Sequence, residues 1–206
     1  MIAVVDYGMG NLHSVAKALE RVGAKVAVTR DPEVVAAADR VVLPGVGAFR
    51  DCLANLDRYG LREAVAARLT DGRPFLGICL GFQLLFERSH EFGLHQGFGR
   101  LAGEVLPFPA DLEEGGARLK VPHMGWNEVV PTGDNPLFAG IPRGASFYFC
   151  HSYYAAPADP VVVAATCHYG IDFCCMVADG PLYGVQFHPE KSQRWGLKLL
   201  ENFTRA

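Results

Sequence analysis

Apolar runs and helical spacings alternate along the first ninety residues of the chain. Leu12, Val15, Leu19 and Val22 recur at the spacing of an amphipathic helix, which Gly23 closes. Because apolar runs separate such segments, we expect βαβ units and an α/β fold, with a doubly wound, mostly parallel sheet and helices on both faces. Strands are predicted over residues 2–6, 25–29, 40–43 and 74–79, and helices over 11–22, 31–38, 48–69 (broken at Gly60) and 80–88.

The second half of the chain has a different pattern. Residues 93–144 are rich in Gly and Pro, with short strand-like pieces. Residues 145–154, 161–167 and 182–187 are rich in β-branched or aromatic residues, so we expect strands there, some of them antiparallel. A helix is predicted over 192–203. The chain has no repeat and no obvious linker, which predicts a single domain spanning residues 1–206.

Composition narrows the class of protein. Half of the 206 residues are apolar, and 19 basic against 22 acidic residues give a net charge of −3, which is not the electrostatic pattern of a nucleic-acid or membrane-surface protein. The first residues do not form a signal peptide and no apolar run is long enough to span a membrane, so we expect a cytoplasmic protein. The six cysteines lack metal-ligand spacing, so we expect reduced thiols, no metal and no cofactor.

A glycine-flanked cysteine lies where the fourth predicted strand meets a helix. Gly77, Cys79 and Gly81 form a G-x-C-x-G pattern, in which small residues let the chain turn sharply and expose the central side chain. The turn would also place the sulfur at a helix N-terminus, which favours a thiolate. The pattern predicts a nucleophile, although a buried cysteine between two coincidental glycines would give the same letters.

A histidine with a nearby carboxylate follows the last predicted strand. Pro189 favours an extended conformation at His188, and in an extended segment residues two apart point to the same side. Glu190 could therefore hydrogen-bond the imidazole and orient it as a general base. A histidine at a strand end beside a solvated glutamate is the alternative, which the cysteine turn in the same chain makes less attractive.

Two glycines follow the third predicted strand. Gly45 and Gly47, on either side of Val46, would let a backbone N–H point at a ligand. Together with the N–H of Leu80, the residue after the cysteine, such a group could form an oxyanion hole. An ordinary glycine turn is equally compatible with these residues.

Taken in order, P-G-V-G, G-I-C-L-G and F-H-P-E-K-S resemble the class I, or triad, glutamine amidotransferases over the whole chain. More specific segments are similar to the glutaminase subunits of imidazole glycerol phosphate synthases. These segments are D-Y-G-M-G-N at 6–11, P-G-V-G-A-F at 44–49, P-H-M-G-W-N at 122–127 and H-S-Y-Y at 151–154.

The resemblance implies glutamine hydrolysis by a Cys79–His188–Glu190 triad. The ammonia would pass to a separate (β/α)8-barrel cyclase subunit that makes imidazole glycerol phosphate and an aminoimidazole carboxamide ribotide in histidine biosynthesis. The resemblance further implies oxyanion and substrate contacts at Gly45, Val46, Gly47, Leu80, Gln83, His151, Ser152 and Tyr153, and a partner interface at Pro122, His123, Met124, Gly125, Trp126 and Asn127.

Other functions fit the sequence less well. A dinucleotide-binding loop would need glycine at position 13, where His13 stands. An α/β-hydrolase normally has its acid before its histidine, whereas Glu190 follows His188. A glutaminase serving pyridoxal phosphate, anthranilate, purine or pyrimidine synthesis is the alternative within the same family, and the segments at 6–11 and 122–127 favour the histidine pathway by resemblance.

Overall fold

The computed structural model describes all residues from Met1 to Ala206. Strands and helices alternate as far as β4, and strands dominate afterwards. The fifteen strands are β1 Ile2–Val5, β2 Val26–Thr29, β3 Arg40–Gly45, β4 Phe75–Cys79, β5 Phe86–Ser89, β6 His95–Gln96, β7 Leu101–Pro107, β8 Glu113–Glu114, β9 Ala117–Arg118, β10 His123–Pro131, β11 Ala145–His151, β12 Tyr153–Pro157, β13 Val163–Tyr169, β14 Ile171–Asp179 and β15 Leu182–Val185. The six α-helices are α1 Leu12–Arg21, α2 Pro32–Ala37, α3 Phe49–Arg58, α4 Arg62–Arg68, α5 Leu80–Gln83 and α6 Gln193–Phe203, and 3-10 turns cover Pro136–Phe138, Pro160–Val162 and Pro189–Lys191.

Five parallel strands form the central part of the main sheet. Their order is β2-β1-β3-β4-β15, so β1 pairs with two strands and the chain winds in both directions from it. Parallel strands bring their carboxyl ends to one edge of a sheet. Gly45 pairs with Cys79 at the ends of β3 and β4, and β15 ends beside them on the other side of β4.

Apolar side chains cover both faces of this sheet. Successive residues of β1 belong to different cores, because side chains alternate across a strand. Ile2 and Val4 pack with α1 and α6 on one face, whereas Ala3 and Val5 pack with α3 and α4 on the other. The predicted doubly wound α/β fold is therefore confirmed.

The second half extends the sheet with antiparallel strands, as the sequence predicted. β14 pairs antiparallel with β15, β12 and β13, and β12 pairs antiparallel with β7. β10 and β11 form a long antiparallel pair that joins the sheet through β13. This pair brings the segment around residues 123–127 next to residues 147–151.

Several predicted element boundaries were wrong. The helix predicted over 80–88 ends at Gln83, because the backbone of residues 86–89 forms β5, which pairs antiparallel with β6 and parallel with β7. The strand predicted over 145–154 is two strands separated at Ser152. Within the Gly- and Pro-rich stretch, β8 pairs antiparallel with β9.

None of the helices is both long enough and apolar enough to cross a lipid bilayer.

Candidate active site

Cys79 lies on a sharp turn between β4 and α5. Its backbone has φ 54° and ψ −107°, a conformation that L-residues rarely adopt. The flanking glycines allow this turn because the chain passes itself closely. A Cβ on Gly81 would lie 1.8 Å from the Leu43 carbonyl oxygen, and a Cβ on Gly77 would lie 2.6 Å from the carbonyl oxygen of Gly81. The strained strand-to-helix turn predicted from G-x-C-x-G is therefore present.

The turn opens into a cleft of about 180 Å³. Its wall combines residues from the glycine segment after β3, the cysteine turn, the loop after β5, the junction of β11 and β12, and the segment that follows β15. The lining residues are Val46, Gly47, Cys79, Leu80, Gln83, Glu91, Cys150, His151, Ser152, Tyr153, His188 and Lys191.

His188 and Glu190 form the pair that the sequence predicted. The His188 backbone is extended, at φ −101° and ψ 95°, and its Nδ1 lies 2.9 Å from Glu190 Oε1. Both side chains are nearly inaccessible to solvent, at 4% and 1% exposure. Glu190 is therefore not a solvated carboxylate, and it fixes the orientation of the imidazole ring.

The charge of His188 depends on its two neighbours. Burial alone would lower its pKa, but hydrogen bonds to Cys79 and Glu190 and the negative charge of both partners raise the pKa from 6.5 to about 10. Since Nδ1 is used by Glu190, Nε2 is the ring nitrogen that faces the sulfur. The contacts of His188 with Cys79 and Glu190 therefore favour an imidazolium at neutral pH.

The His188 backbone is anchored on both sides, and Ser192 supplies one anchor that sequence reasoning missed. The His188 N–H donates to the carbonyl of Tyr148 in β11 at 2.8 Å. The Ser192 hydroxyl donates to the His188 carbonyl at 2.6 Å and accepts from the Tyr148 N–H at 2.9 Å. These three bonds tie the segment after β15 to β11, which positions the imidazole over the cleft.

The glycine segment after β3 lies beside the cysteine turn. Gly45 is buried beneath the turn, where a Cβ would lie 2.8 Å from both the Gly81 nitrogen and the Leu80 Cβ. Val46 and Gly47 line the cleft, and Gly47 has a φ of 92°. The segment thus brings Val46 and Gly47 to the cleft, next to Gly45, where a side chain would not fit.

Gln83 is buried rather than on the surface of its helix. It lies one turn beyond Cys79 and lines the same cleft, as its spacing predicted. Its Nε2 donates to the Tyr153 carbonyl at 3.1 Å and to Gln186 Oε1 at 2.9 Å. Sequence reasoning missed Gln186, which has no motif of its own and lies two residues before His188.

Two charged residues of the cleft were also missed. Glu91 comes from the loop between β5 and β6, and its carboxylate accepts from the Phe49 N–H at 2.6 Å. Burial raises the pKa of Glu91. Lys191 lines the cleft next to the His188–Glu190 pair. Glu91 belongs to no local pattern, so only the tertiary fold reveals it, and Lys191 is part of F-H-P-E-K-S but had no predicted role.

All six cysteines are free thiols. Cys150 is half-buried and lines the same cleft as Cys79. Burial raises the pKa of Cys52, Cys167 and Cys174 to about 12, and it also raises the pKa of Cys175 well above its usual range. These four thiols are packed in the core. No group of three or more His, Cys, Asp or Glu side chains is arranged to hold a metal ion.

Residues 122–127, the predicted partner interface, have side chains on the protein surface and side chains that point into the protein. Met124 and Trp126 are 61% and 48% exposed, so Trp126 is not a core tryptophan. His123 points inward, where its Nδ1 lies 3.0 Å from Nε2 of His151, a residue of the cleft wall. Asn127 approaches the other ring nitrogen of His123 at 3.3 Å. A buried polar chain therefore connects the exposed segment with the cleft.

Comparison with known proteins agrees with this geometry. The family model described as glutamine amidotransferase class-I matches residues 3–206. The chain is 54% identical to the imidazole glycerol phosphate synthase subunit HisH of Geobacter sulfurreducens, over 98% of this chain and 97% of that protein. It is 55% identical to the proteins of the same description from Syntrophotalea carbinolica (98% of each chain) and Pseudomonas putida (98% of this chain and 95% of that protein).

Solved structures share the fold at lower identity. The structure of PurLQS from Thermotoga maritima superimposes with a TM-score of 0.75 at 19% identity, over 99% of this chain and 97% of that chain. A structure described as a glutamine amidotransferase has a TM-score of 0.70 at 20% identity, over 97% of this chain and 99% of that chain.

Proposed function

This chain belongs to the class-I glutamine amidotransferase family, and on that premise we propose that it is the glutaminase subunit of an imidazole glycerol phosphate synthase in histidine biosynthesis. One observation carries the chemical part of the proposal. Cys79 stands on a strained turn in a cleft that it shares with His188, whose other ring nitrogen is held by the buried Glu190. The full-length similarity to subunits of that synthase supports the pathway.

In the proposed reaction the Cys79 thiolate attacks the side-chain amide carbon of glutamine. The carbonyl oxygen becomes an oxyanion, which the Leu80 N–H and a backbone N–H of Val46 or Gly47 stabilise; Gly45 supports this segment from below. The helix start leaves the Leu80 N–H without an intrahelical partner. The tetrahedral intermediate collapses when the His188 imidazolium gives its proton to the departing nitrogen, which yields ammonia and a thioester.

The second half of the reaction reuses the same histidine. Neutral His188 takes a proton from water, the hydroxide attacks the thioester, and the thiolate leaves as glutamic acid forms. The acid loses its proton to solvent, and the thiolate–imidazolium pair is restored. Glu190 stabilises the imidazolium in both steps.

The rest of the cleft suits the two ends of glutamine. The carboxylate of Glu91 can accept hydrogen bonds from the α-ammonium group of glutamine. Lys191 offers a positive charge for the α-carboxylate of glutamine. Gln83 and the segment of His151, Ser152 and Tyr153 complete the wall. Glutamine carries its α-ammonium and α-carboxylate groups on the same carbon. A cleft that offers an opposite charge to each group therefore favours glutamine over a simple amide.

We further propose that a (β/α)8-barrel cyclase subunit docks on the face that presents Met124 and Trp126 and receives the ammonia. Exposed apolar and aromatic side chains are energetically suited to the centre of an interface. The flanking Pro122, Gly125 and Asn127 belong to the same face, while His123 connects it with the cleft. A single domain over residues 1–206 and a cytoplasmic location stay predictions from the sequence.

A glutaminase assay of wild type, Cys79→Ala and Cys150→Ala, each with and without the cyclase subunit, tests the proposal. We expect the chain alone to be nearly inactive and to gain activity when the cyclase carries its ligand. Cys79→Ala should abolish glutamine use but leave ammonia-dependent synthesis by the complex intact. Cys150→Ala is the matched control, because Cys150 lines the same cleft without the turn or the histidine. Glutamine hydrolysis by Cys79→Ala would refute the proposed nucleophile.

The docking face has its own test. Met124→Lys should weaken cyclase binding, because it places a charge on the exposed apolar face. Val161→Lys is the control. Val161 is also apolar and 85% exposed, but it belongs to the 3-10 turn Pro160–Val162 and not to the segment at 122–127. Equal binding of the cyclase by both variants in titration calorimetry would place the interface elsewhere.

A further inference from the structure

Gln186 lies between the reacting sulfur and Gln83 on the buried side of the cleft. Its side chain is fully buried, its Nε2 is 3.7 Å from Cys79 Sγ, and its Oε1 is 2.9 Å from Gln83 Nε2. The Gln186 backbone is fixed as well, because its N–H donates to the Cys175 carbonyl at 2.9 Å. A buried amide in contact with a thiol influences which ionisation state the thiol prefers.

A backbone carbonyl determines which way the two amides point. The Tyr153 carbonyl can only accept, so Gln83 must present its NH2 group to it, at 3.1 Å. The second hydrogen of the same NH2 group points at Gln186, which must therefore present its oxygen there. The opposite end of the Gln186 amide, the NH2 group, is then the end that meets the Cys79 sulfur.

Each reversed arrangement of the two amides leaves mismatched contacts. Turning Gln186 alone would bring its NH2 group against the NH2 group of Gln83. Turning both amides would place the Gln83 oxygen against the Tyr153 carbonyl oxygen. Either arrangement would also put a carbonyl oxygen beside the sulfur, where it would repel a thiolate. In a buried site these mismatches are costly, because water cannot satisfy the groups.

We propose that Gln186 is a positioning residue whose amide N–H donates to the Cys79 sulfur and favours the thiolate, with the direction of that amide set by Gln83 and the Tyr153 carbonyl. The inference rests on the proposed role of Cys79 as the nucleophile. It also defines what Gln83 can offer a substrate. Both of its N–H groups are used, so only its Oε1 is free, and it binds substrate as an acceptor.

The test is the rate at which a small neutral alkylating agent modifies Cys79. Iodoacetamide reacts with the thiolate, forming a carbon–sulfur bond and releasing iodide, and needs neither glutamine nor the partner. Site-resolved mass spectrometry separates Cys79 from the other five thiols. Gln186→Met keeps the length of the side chain and removes the donor. Gln96→Met, the same change at an exposed glutamine, is the matched control.

We expect Gln186→Met to slow alkylation of Cys79 at neutral pH about tenfold, as the loss of one hydrogen bond to a charged group predicts. The pH of half-maximal alkylation should move upward, and kcat for glutamine should fall more than KM rises. Gln83→Met should slow alkylation less, because it frees the Gln186 amide to turn. A folded Gln186→Met protein that is alkylated at the wild-type rate and pH would overturn the inference. If Gln186→Met does not fold, wild-type alkylation of Gln83→Met would overturn it instead.

The outcome separates this inference from the proposed function. If Cys79 of the wild type is alkylated no faster than the buried core thiols, the proposed nucleophile fails, and Gln186 with it. If wild-type Cys79 reacts fast and Gln186→Met is indistinguishable from it, only the role of Gln186 fails. A purely structural role would lower stability in urea unfolding without moving the pH of half-maximal alkylation.

Discussion

The hydroxyl of Tyr7 donates to the carbonyl oxygen of Pro44 at 2.7 Å, in a fully buried position. Tyr7 follows β1, and Pro44 lies at the end of β3, directly before the glycine segment that borders the cleft. The Tyr7 oxygen would also lie 2.7 Å from a Cβ on Gly45. Burial raises the pKa of Tyr7 well above its usual range, so the phenol stays protonated and keeps donating. This bond therefore fixes the peptide that leads into the proposed oxyanion hole.

Tyr7→Phe removes that bond while keeping the ring. We expect a loss of about 1 kcal/mol in stability, the usual contribution of a buried hydrogen bond, measured by urea unfolding. Glutamine hydrolysis by the complex should fall, but by less than the ~10²–10³ of a lost oxyanion donor, because Tyr7 acts through Pro44. Ammonia-dependent synthesis should not change. Tyr59→Phe is the control at a half-buried tyrosine at the end of α3, and an equal loss of glutamine activity there would contradict the explanation.

Gly81→Ala tests whether the cysteine turn needs its glycine. The new Cβ would lie 1.8 Å from the Leu43 carbonyl oxygen, so β3 and α5 would have to separate. We expect a loss of about 3 kcal/mol or more, the upper range for overpacking, in a denaturant titration. Gly133→Ala has open space around its Cβ and should stay within about 1 kcal/mol of wild type. Similar stability of the two variants would show that the turn tolerates a side chain.

Glu190→Gln tests how the carboxylate affects His188. The pKa of His188 is lowered by burial but raised to about 10 by Cys79 and Glu190, against 6.5 in the unfolded chain. A raised pKa means that this ionic interaction stabilises the fold fully below about pH 6.5 and no longer above about pH 10. Without the carboxylate the pKa of His188 in the folded protein falls, so the loss of stability should still begin near pH 6.5 but end at lower pH. The alkaline fall in kcat should move the same way.

The measurement is thermal unfolding of wild type and Glu190→Gln across that pH range, together with the pH dependence of kcat for each protein. Glu104→Gln is a control, because Glu104 pairs with His90 at the surface. If Glu190→Gln and wild type lose stability over the same pH interval, the carboxylate does not control the imidazole.

The local patterns of the sequence were sufficient where chemistry depends on neighbours along the chain. G-x-C-x-G predicted the strained turn, because the backbone contact that excludes side chains lies within that turn and its adjacent strand. The two-residue spacing of His188 and Glu190 predicted their hydrogen bond, because an extended segment puts both on one side. The alternation of strands and helices predicted the parallel sheet for the same reason, since each βαβ unit is local.

What the sequence missed depends on long-range packing. Gln186 meets Cys79 across a separation of 107 residues, and Glu91 reaches the cleft from a loop between two strands. Neither has a local pattern that distinguishes it from an ordinary polar residue. The helix predicted over residues 80–88 is cut short because residues 86–89 pair with β6 and β7, which follow later in the chain.

The buried pair of His123 and His151 leads to a prediction at acid pH. Burial lowers the pKa of His123 to about 4 and that of His151 to about 3, although the hydrogen bond of His151 to the Tyr153 carbonyl, at 2.8 Å, opposes the second shift. Both rings are therefore neutral in the folded protein at neutral pH. In the unfolded chain they would take up protons below about pH 6.5. Stability should consequently fall as the pH drops from 6.5 towards 4.

His123→Gln removes one of these titrating groups and leaves an amide that can still donate to His151. The dependence of unfolding free energy on pH should become shallower by about 1.4 kcal/mol per pH unit between pH 6 and pH 4, the contribution of one proton bound only by the unfolded state. Urea titrations at each pH supply the slope. His13→Gln removes an exposed histidine from α1 and should leave the slope as in wild type. An unchanged slope in His123→Gln would mean that this ring is protonated in the folded protein, in which case its Nε2 could no longer accept a hydrogen bond from the Asn127 amide.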